Sequence, residues 1–157
     1  MQKYSSANTS INSTKLPKIY GIIADQIKGK SAIDYGCGKY FDNYSLENVV
    51  GYDPYNRPDT SSLESDYDVA ICSNVLNVIA EKEERIAVLK QLKKLAPISY
   101  ITVYEGNRSG VGQPTKEDCY QLNWSRGNYI PELVEVFGEG NVKFRKGAFI
   151  CTRKEDA

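Results

Sequence analysis

Two glycines, Gly36 and Gly38, stand where the apolar part of "SAIDYGCGKYFDN" ends, and Asp34 comes two residues before them. Glycine at such a place admits positive φ and lets a ligand lie against the backbone. Asp53 ends a second apolar run, "NVVGYDP", 15 positions beyond Gly38, and a carboxylate so placed can accept both hydroxyl hydrogens of a ribose. A third run, "YDVAICS", ends at Ser73 and leads into Asn74. For the glycines alone, an ordinary strand-to-loop bend explains as much as a ligand does. With Asp34, Asp53 and the Ser73–Asn74 end added, the outline is that of a nucleoside site. A nicotinamide fingerprint, G-x-G-x-x-G, would need its third glycine at Phe41, where a ring obstructs the packing that glycine permits, and no G-x-x-x-x-G-K-[ST] phosphate loop is present.

Composition narrows the chemistry. The chain has 157 residues, enough for one well-buried core and too few for two domains of usual size, and its 20 Lys and Arg balance its 20 Asp and Glu. Nothing in the net charge announces a phosphate-rich partner or an anionic membrane. Histidine is absent, which excludes Ser-His-Asp and Cys-His catalysis and removes the commonest zinc ligand. Cys37, Cys72, Cys119 and Cys151 show no C-x-x-C spacing, so neither a metal site nor a disulfide framework is expected. No apolar stretch approaches the ~20 residues that span a bilayer, and the polar start is unlike a signal peptide. A cytoplasmic protein without a membrane partner is expected.

The elements that must position these residues follow from periodicity. Residues 1–13, rich in Ser, Asn and Thr, read as a flexible arm, and residues 14–157 as a single domain. Leu16, Ile19, Ile22, Ile23 and Ile27 keep helical spacing, with Ser13 or Thr14 to cap, Pro17 in the first turn and Gly29 to close. "SAIDYG", "NVVGYDP" and "YDVAICS" read as buried strands. In "AEKEERIAVLKQLKKLA" the stripe Ile86, Leu89, Leu92, Leu95 predicts a helix whose "EKEER" run is solvated, Glu81 and Arg85 pairing on its outer face. "SYITVYEG" reads as a strand, Tyr129 to Phe137 as a short helix, and "NVKFRKGAFICTR" as two strands joined near Gly147. Alternating strands and helices predict an α/β fold: a Rossmann-like open, mostly parallel sheet flanked by helices, with an antiparallel C-terminal edge hairpin. In such sheets ligands bind beyond the carboxyl ends of the strands, at the topological switch point.

"IDYGCG" and "VVGYDP" resemble the first and second motifs of the class I S-adenosylmethionine-dependent methyltransferases, and "YDVAICSNVLNVIAEKEERIAVLKQLKKLA" resembles their fourth motif with its following helix. The likeness runs from about Lys15 to Ile150, its specific part within residues 31–96. It implies S-adenosylmethionine as cofactor and the following placements. Asp34 and the Gly36–Cys37–Gly38 turn would meet the methionine end, Asp53 the ribose, and Pro54 with the Asp59–Leu63 loop the adenine. Ser73 and Asn74 would line the methionine side, and Lys15 would reach the cofactor carboxylate. Tyr40 stands where the family commonly has a third glycine. Only five residues separate Asp53 from Asp59, so the usual helix and third strand are shortened or missing. "DYGCG", "GYDP" and "VLNVI" in this order also resemble methyltransferase-like proteins associated with DNA phosphorothioation.

The segment "DPYN" is similar to the D-P-P-Y-like tetrad of DNA amino-methyltransferases, but it follows the second strand and lacks the second proline, so Tyr55 is assigned to the adenine-side loop. Residues 107–125 form a long polar connection, either a packed lid or a substrate-binding loop. If methyl transfer to an oxygen or nitrogen needs a base, Glu105 at a strand end and Tyr120 in the facing loop are the catalytic candidates. The acceptor, a small molecule or a nucleic acid, is not named by the sequence, and oligomeric state is unreadable. The alternative function is a cofactor-binding regulatory or partner subunit without turnover.

Overall fold

The computed structural model describes residues 2–5 and 15–153. The first helix, α1 (Lys18–Ile27), begins directly after Pro17 without a side-chain cap; the candidate caps Ser13 and Thr14 lie outside the described residues. It ends where expected, with Gly29 at φ +72° and the Lys30 amide donating to the Ile27 carbonyl at 3.0 Å. There follow β1 (Ala32–Tyr35), β2 (Val49–Tyr52), β3 (Val69–Ser73), α2 (Lys82–Leu95), β4 (Ile98–Thr102), β5 (Gln113–Pro114), β6 (Tyr120–Gln121), α3 (Ile130–Phe137), β7 (Val142–Arg145) and β8 (Ala148–Thr152).

Six strands form one sheet in the order β2-β1-β3-β4-β8-β7, and β5 and β6 form a separate small ladder within the long polar connection. β2, β1, β3 and β4 run parallel, while β8 is antiparallel to β4 and β7 to β8. Lys146 and Gly147, at φ +53° and +90°, make the two-residue turn of that last hairpin; both central positions take the positive φ that matches strand twist. The fold expected from the sequence is therefore present. β3 is buried at four of its five positions because helices cover both faces. On one face α1 packs Ile19, Tyr20 and Ile23 against Ala32, Val69, Ile71 and Tyr100. On the other, α2 and α3 pack Leu89, Leu92, Leu133 and Phe137 against Ile33, Cys72, Ile101 and Phe149.

The connections on either side of β2 hold only short 3-10 turns, Phe41–Tyr44 and Thr60–Glu64. Phe41 is the local reason the first can be so brief. Its ring is buried against Gly51 of β2, where a Cβ would stand 2.7 Å from a ring carbon. The chain passes from β1 outward to β2 and then back across to β3, so the switch point lies between the carboxyl ends of β1 and β3.

The "EKEER" run corrects one expectation. Arg85 is not on a solvated face but 3% exposed, its Nε and Nη2 donating to the two Glu132 oxygens at 2.8 and 3.0 Å and its Nη1 to the carbonyls of Ile79 and Ala80. The guanidinium also lies 4.7 Å from the Trp124 ring centroid. The partner comes from α3, 47 residues away, and no local spacing could announce it.

Candidate functional site

Beyond β1 the chain turns sharply over the end of β2. The amides of Gly36 and Cys37 both donate to the Tyr52 carbonyl, at 2.7 and 3.0 Å, and Gly36 and Gly38 take φ of +87° and +78°. A Cβ on Gly36 would stand 2.4 Å from Cγ2 of Val75, so the first glycine is required both by its φ and by the approach of the segment after β3. Asn74, also at positive φ, turns that segment, and its amide donates to the Thr102 carbonyl at 2.9 Å. The Ser73 and Thr102 hydroxyls are 3.0 Å apart.

Asp34 sits beneath the turn, buried, with the Tyr20 hydroxyl donating to its Oδ2. Burial pushes its carboxyl up to about 6; the Tyr20 hydrogen bond opposes the rise and the charge of Asp53 adds to it. Burial likewise pushes the Cys37 thiol up to about 12, so it stays protonated at neutral pH. Asp53 ties the loops together. Its Oδ2 accepts the Gly38 amide at 3.0 Å, and its Oδ1 accepts those of Tyr55 and Asn56 at 2.9 and 3.1 Å. With one amide on Oδ2 against two on Oδ1, Oδ2 keeps the greater capacity for a further donor.

These groups line one cavity of about 780 Å³, large enough for a nucleoside-sized ligand and a small second molecule. Of the residues assigned from the sequence, Asp34, Gly36, Cys37, Gly38, Asp53, Pro54, Ser73, Asn74 and Tyr120 all face it. Three assignments are placed elsewhere. Lys15 is exposed and does not line the cavity. Asp59–Leu63 also stays outside; Asp59 caps the Thr60–Glu64 turn by accepting the Ser61 amide at 3.0 Å, and Tyr55 and Asn56 line the wall next to Pro54 instead. Glu105 is turned away: its Oε2 accepts the Arg126 amide at 2.8 Å and its Oε1 pairs with Arg108 at 3.2 Å, contacts that hold its carboxyl below the usual range. Tyr120 borders the cavity with its hydroxyl over Gly112, where a Cβ would stand only 1.9 Å away.

The long connection is built around buried amides. Asn77 Nδ2 donates to Gln121 Oε1 at 3.1 Å, Gln121 Nε2 donates to the Tyr104 carbonyl at 3.0 Å, and the Tyr104 amide donates to Asn77 Oδ1 at 3.3 Å. This closed circuit fixes the end of β4 and the β5–β6 ladder over the cavity. Asn77 and Gln121 both line it, as does Tyr104. Residues 2–5, part of the expected arm, lie across the mouth. The Lys3 amide donates to the Glu81 carboxylate at 3.2 Å, the Ser5 amide to Asp118 at 3.1 Å, and the Tyr4 ring stacks on Tyr120 with centroids 5.0 Å apart. Residues 6–14 lie outside the described residues.

The residues around the turn suit a cationic nucleoside: a backbone glycine cradle, a buried carboxylate with one hydroxyl partner, and a second carboxylate at the neighbouring strand end. Among the described residues no helix is long and apolar enough to cross a membrane.

No family model matches the chain, and no curated protein matches it in sequence. Its fold is similar, at low identity, to that of several solved structures, methyltransferases among them. One is the 1,6-didemethyltoxoflavin-N1-methyltransferase of Burkholderia thailandensis, solved with 1,6-didemethyltoxoflavin and S-adenosylhomocysteine, at 15% identity and a TM-score of 0.61 over 94% of this chain and 80% of that one. Another is the N-terminal domain of EvdMO1, solved in the presence of S-adenosylhomocysteine and D-fucose, at 11% identity and a TM-score of 0.56 over 94% and 93%. A third is CalS10, an amino pentose methyltransferase from Micromonospora echinaspora with bound S-adenosylmethionine, at 12% identity and a TM-score of 0.55 over 87% and 91%. The architecture is thus that of the Rossmann-like methyltransferases.

Proposed function

We propose that the protein binds S-adenosylmethionine in this cavity and transfers its methyl group to an oxygen or nitrogen nucleophile of a small molecule. The observation that carries the reading is convergence: the eight residues Asp34, Gly36, Cys37, Gly38, Asp53, Pro54, Ser73 and Asn74, drawn from three strand ends, line one cavity at the switch point of the parallel sheet. The cofactor supplies a methyl group already activated by the positive charge on sulfur. The chain's part is then to orient and to exclude water, which provides most of the acceleration in a displacement of this kind. Gly36 and Gly38 let the backbone meet the methionine end, Asp34 faces its ammonium, and Asp53 takes the ribose hydroxyls on the oxygen with spare capacity. Asn77 and Gln121 hold the Tyr104 wall opposite. Residues 2–5, laid from Glu81 to Asp118, narrow the mouth and favour a small acceptor over a nucleic acid.

Calorimetric titration with S-adenosylmethionine, S-adenosylhomocysteine and NAD tests the cofactor, the first two binding and the third not. Asp53→Ala should lower S-adenosylmethionine affinity by at least about tenfold, because hydrogen bonds to a charged acceptor contribute roughly 1.5–3 kcal/mol. Unchanged affinity in that variant refutes the ribose placement.

A second reading, a cofactor-binding partner subunit without turnover, is favoured by one feature. Glu105, the carboxylate assigned as base, is committed to Arg126 and Arg108 outside the cavity. Product formation from labelled cofactor separates the two readings, since both predict binding.

A further inference from the structure

The cavity wall is strongly biased in charge and chemistry. Five tyrosines and three carboxylates line it, against Lys116 as the only Lys or Arg among the described lining residues. Asp34 and Asp53 belong to the cofactor end, which leaves Glu84, at the first turn of α2, together with Tyr55, Tyr104 and Tyr120. Tyr55 marks how closely the acidic groups gather. After burial, the charges of Asp118, Asp53 and Glu84 raise its hydroxyl, so one half-exposed ring feels three carboxylates, two from loops and one from the first turn of α2. Tyrosine faces present negative charge to a ligand, and carboxylates beside them strengthen the attraction for a cation while repelling an anion. With Lys116 the single cation among the described lining residues, the tyrosine faces and carboxylates favour a cationic acceptor over an anionic one.

We infer that the methyl acceptor is a small primary or secondary amine that enters as its ammonium ion, held by Glu84 and the tyrosine faces; the inference rests on the cofactor reading above. The chemistry balances without a histidine. The ammonium gives its proton to water at the mouth, and the freed nitrogen lone pair forms the new carbon–nitrogen bond. The carbon–sulfur bond breaks with its electron pair passing to sulfur. Positive charge moves from sulfur to nitrogen, leaving an N-methylammonium beside an uncharged thioether, and no buried base is required.

The test is calorimetry on the full chain loaded with S-adenosylhomocysteine, using four probes of one shape: benzylamine, benzyltrimethylammonium, benzyl alcohol and benzoate. The two cations should bind about tenfold more tightly than the alcohol, with benzoate weaker still. Glu84→Gln and the solvent-exposed Tyr104→Leu should each lower cation affinity several-fold relative to S-adenosylhomocysteine affinity in the same samples. Benzoate or benzyl alcohol binding as well as the cations, no binding of either cation, or unchanged cation affinity in both variants overturns the inference. Failure of S-adenosylhomocysteine itself to bind is a separate result: it removes the cofactor reading, and this inference with it.

Discussion

Asp34→Asn probes the point where the chemistry of the site and the stability of the fold oppose each other. Asp34 is 3% exposed, and burial moves its carboxyl from an ordinary 3.8 to about 6, against the pull of the Tyr20 hydrogen bond. Because the folded-state value lies above the unfolded one, the folded chain holds the proton longer. Its contribution to stability is complete below the unfolded value and is lost as pH rises through the folded one. A gap of about two units at roughly 1.4 kcal/mol per unit gives about 3 kcal/mol, lost between about pH 4 and 6. Asparagine carries no charge at any pH and keeps an oxygen to accept the Tyr20 hydroxyl. Urea unfolding followed across pH should therefore show the variant about as stable as the parent near the lower edge of that window and more stable above it. The same burial makes the ionised carboxylate a strong attractor for a bound cation, which would pull its pKa down. S-adenosylmethionine binding near the upper edge of the window should release a proton, seen as a calorimetric enthalpy that varies with the ionisation enthalpy of the buffer. Asp34→Asn should abolish that variation. If parent and variant lose stability in parallel across the window, no buried carboxylate is being ionised and the reasoning fails.

Three further outcomes follow from other parts of the molecule. Gly36→Ala must hold a side chain at φ +87° with its Cβ 2.4 Å from Val75, a backbone cost of about 1–2 kcal/mol before the clash is relieved; cofactor affinity should fall by at least about tenfold, read by calorimetry. Glu132→Ala leaves Arg85 buried without its carboxylate and should destabilise the chain by about 3–5 kcal/mol in urea unfolding, whereas the joint replacement Arg85→Met with Glu132→Leu should lose much less. Gln121→Ala opens the amide circuit, leaving Asn77 Nδ2 and the Tyr104 carbonyl without their partners; a loss of about 1–3 kcal/mol, with faster amide exchange concentrated in residues 104–123, is the expected result.

What the sequence made legible, and what it hid, divides by distance along the chain. That Asp34, Gly36, Gly38, Asp53, Ser73 and Asn74 share one cavity is legible because each is tied to the end of an apolar run, and parallel pairing of those runs brings the ends together. The hairpin at Lys146–Gly147 and the apolar stripe of α2 were readable for the same local reason. Glu105 closes the run "SYITVYEG", which places it in the site by the same logic, but β4 stops at Thr102, three residues earlier. The direction of Glu105 is decided instead by the Arg126 amide, 21 residues on, which only the folded loop presents. Arg85 was misassigned because its helical spacing from Glu81 looks sufficient, while Glu132 and Trp124, far along the chain, take the side chain inward. Asn77 and Gln121, 44 residues apart, carry no local pattern at all. A strand end therefore predicts where a functional group begins, but the direction in which its side chain turns is set by which distant polar group would otherwise be buried without a partner. Asn77, Gln121 and Tyr104, on the wall facing the cofactor end, are held by such pairings, and for that reason this part of the cavity, unlike the strand ends, takes shape only in the assembled fold.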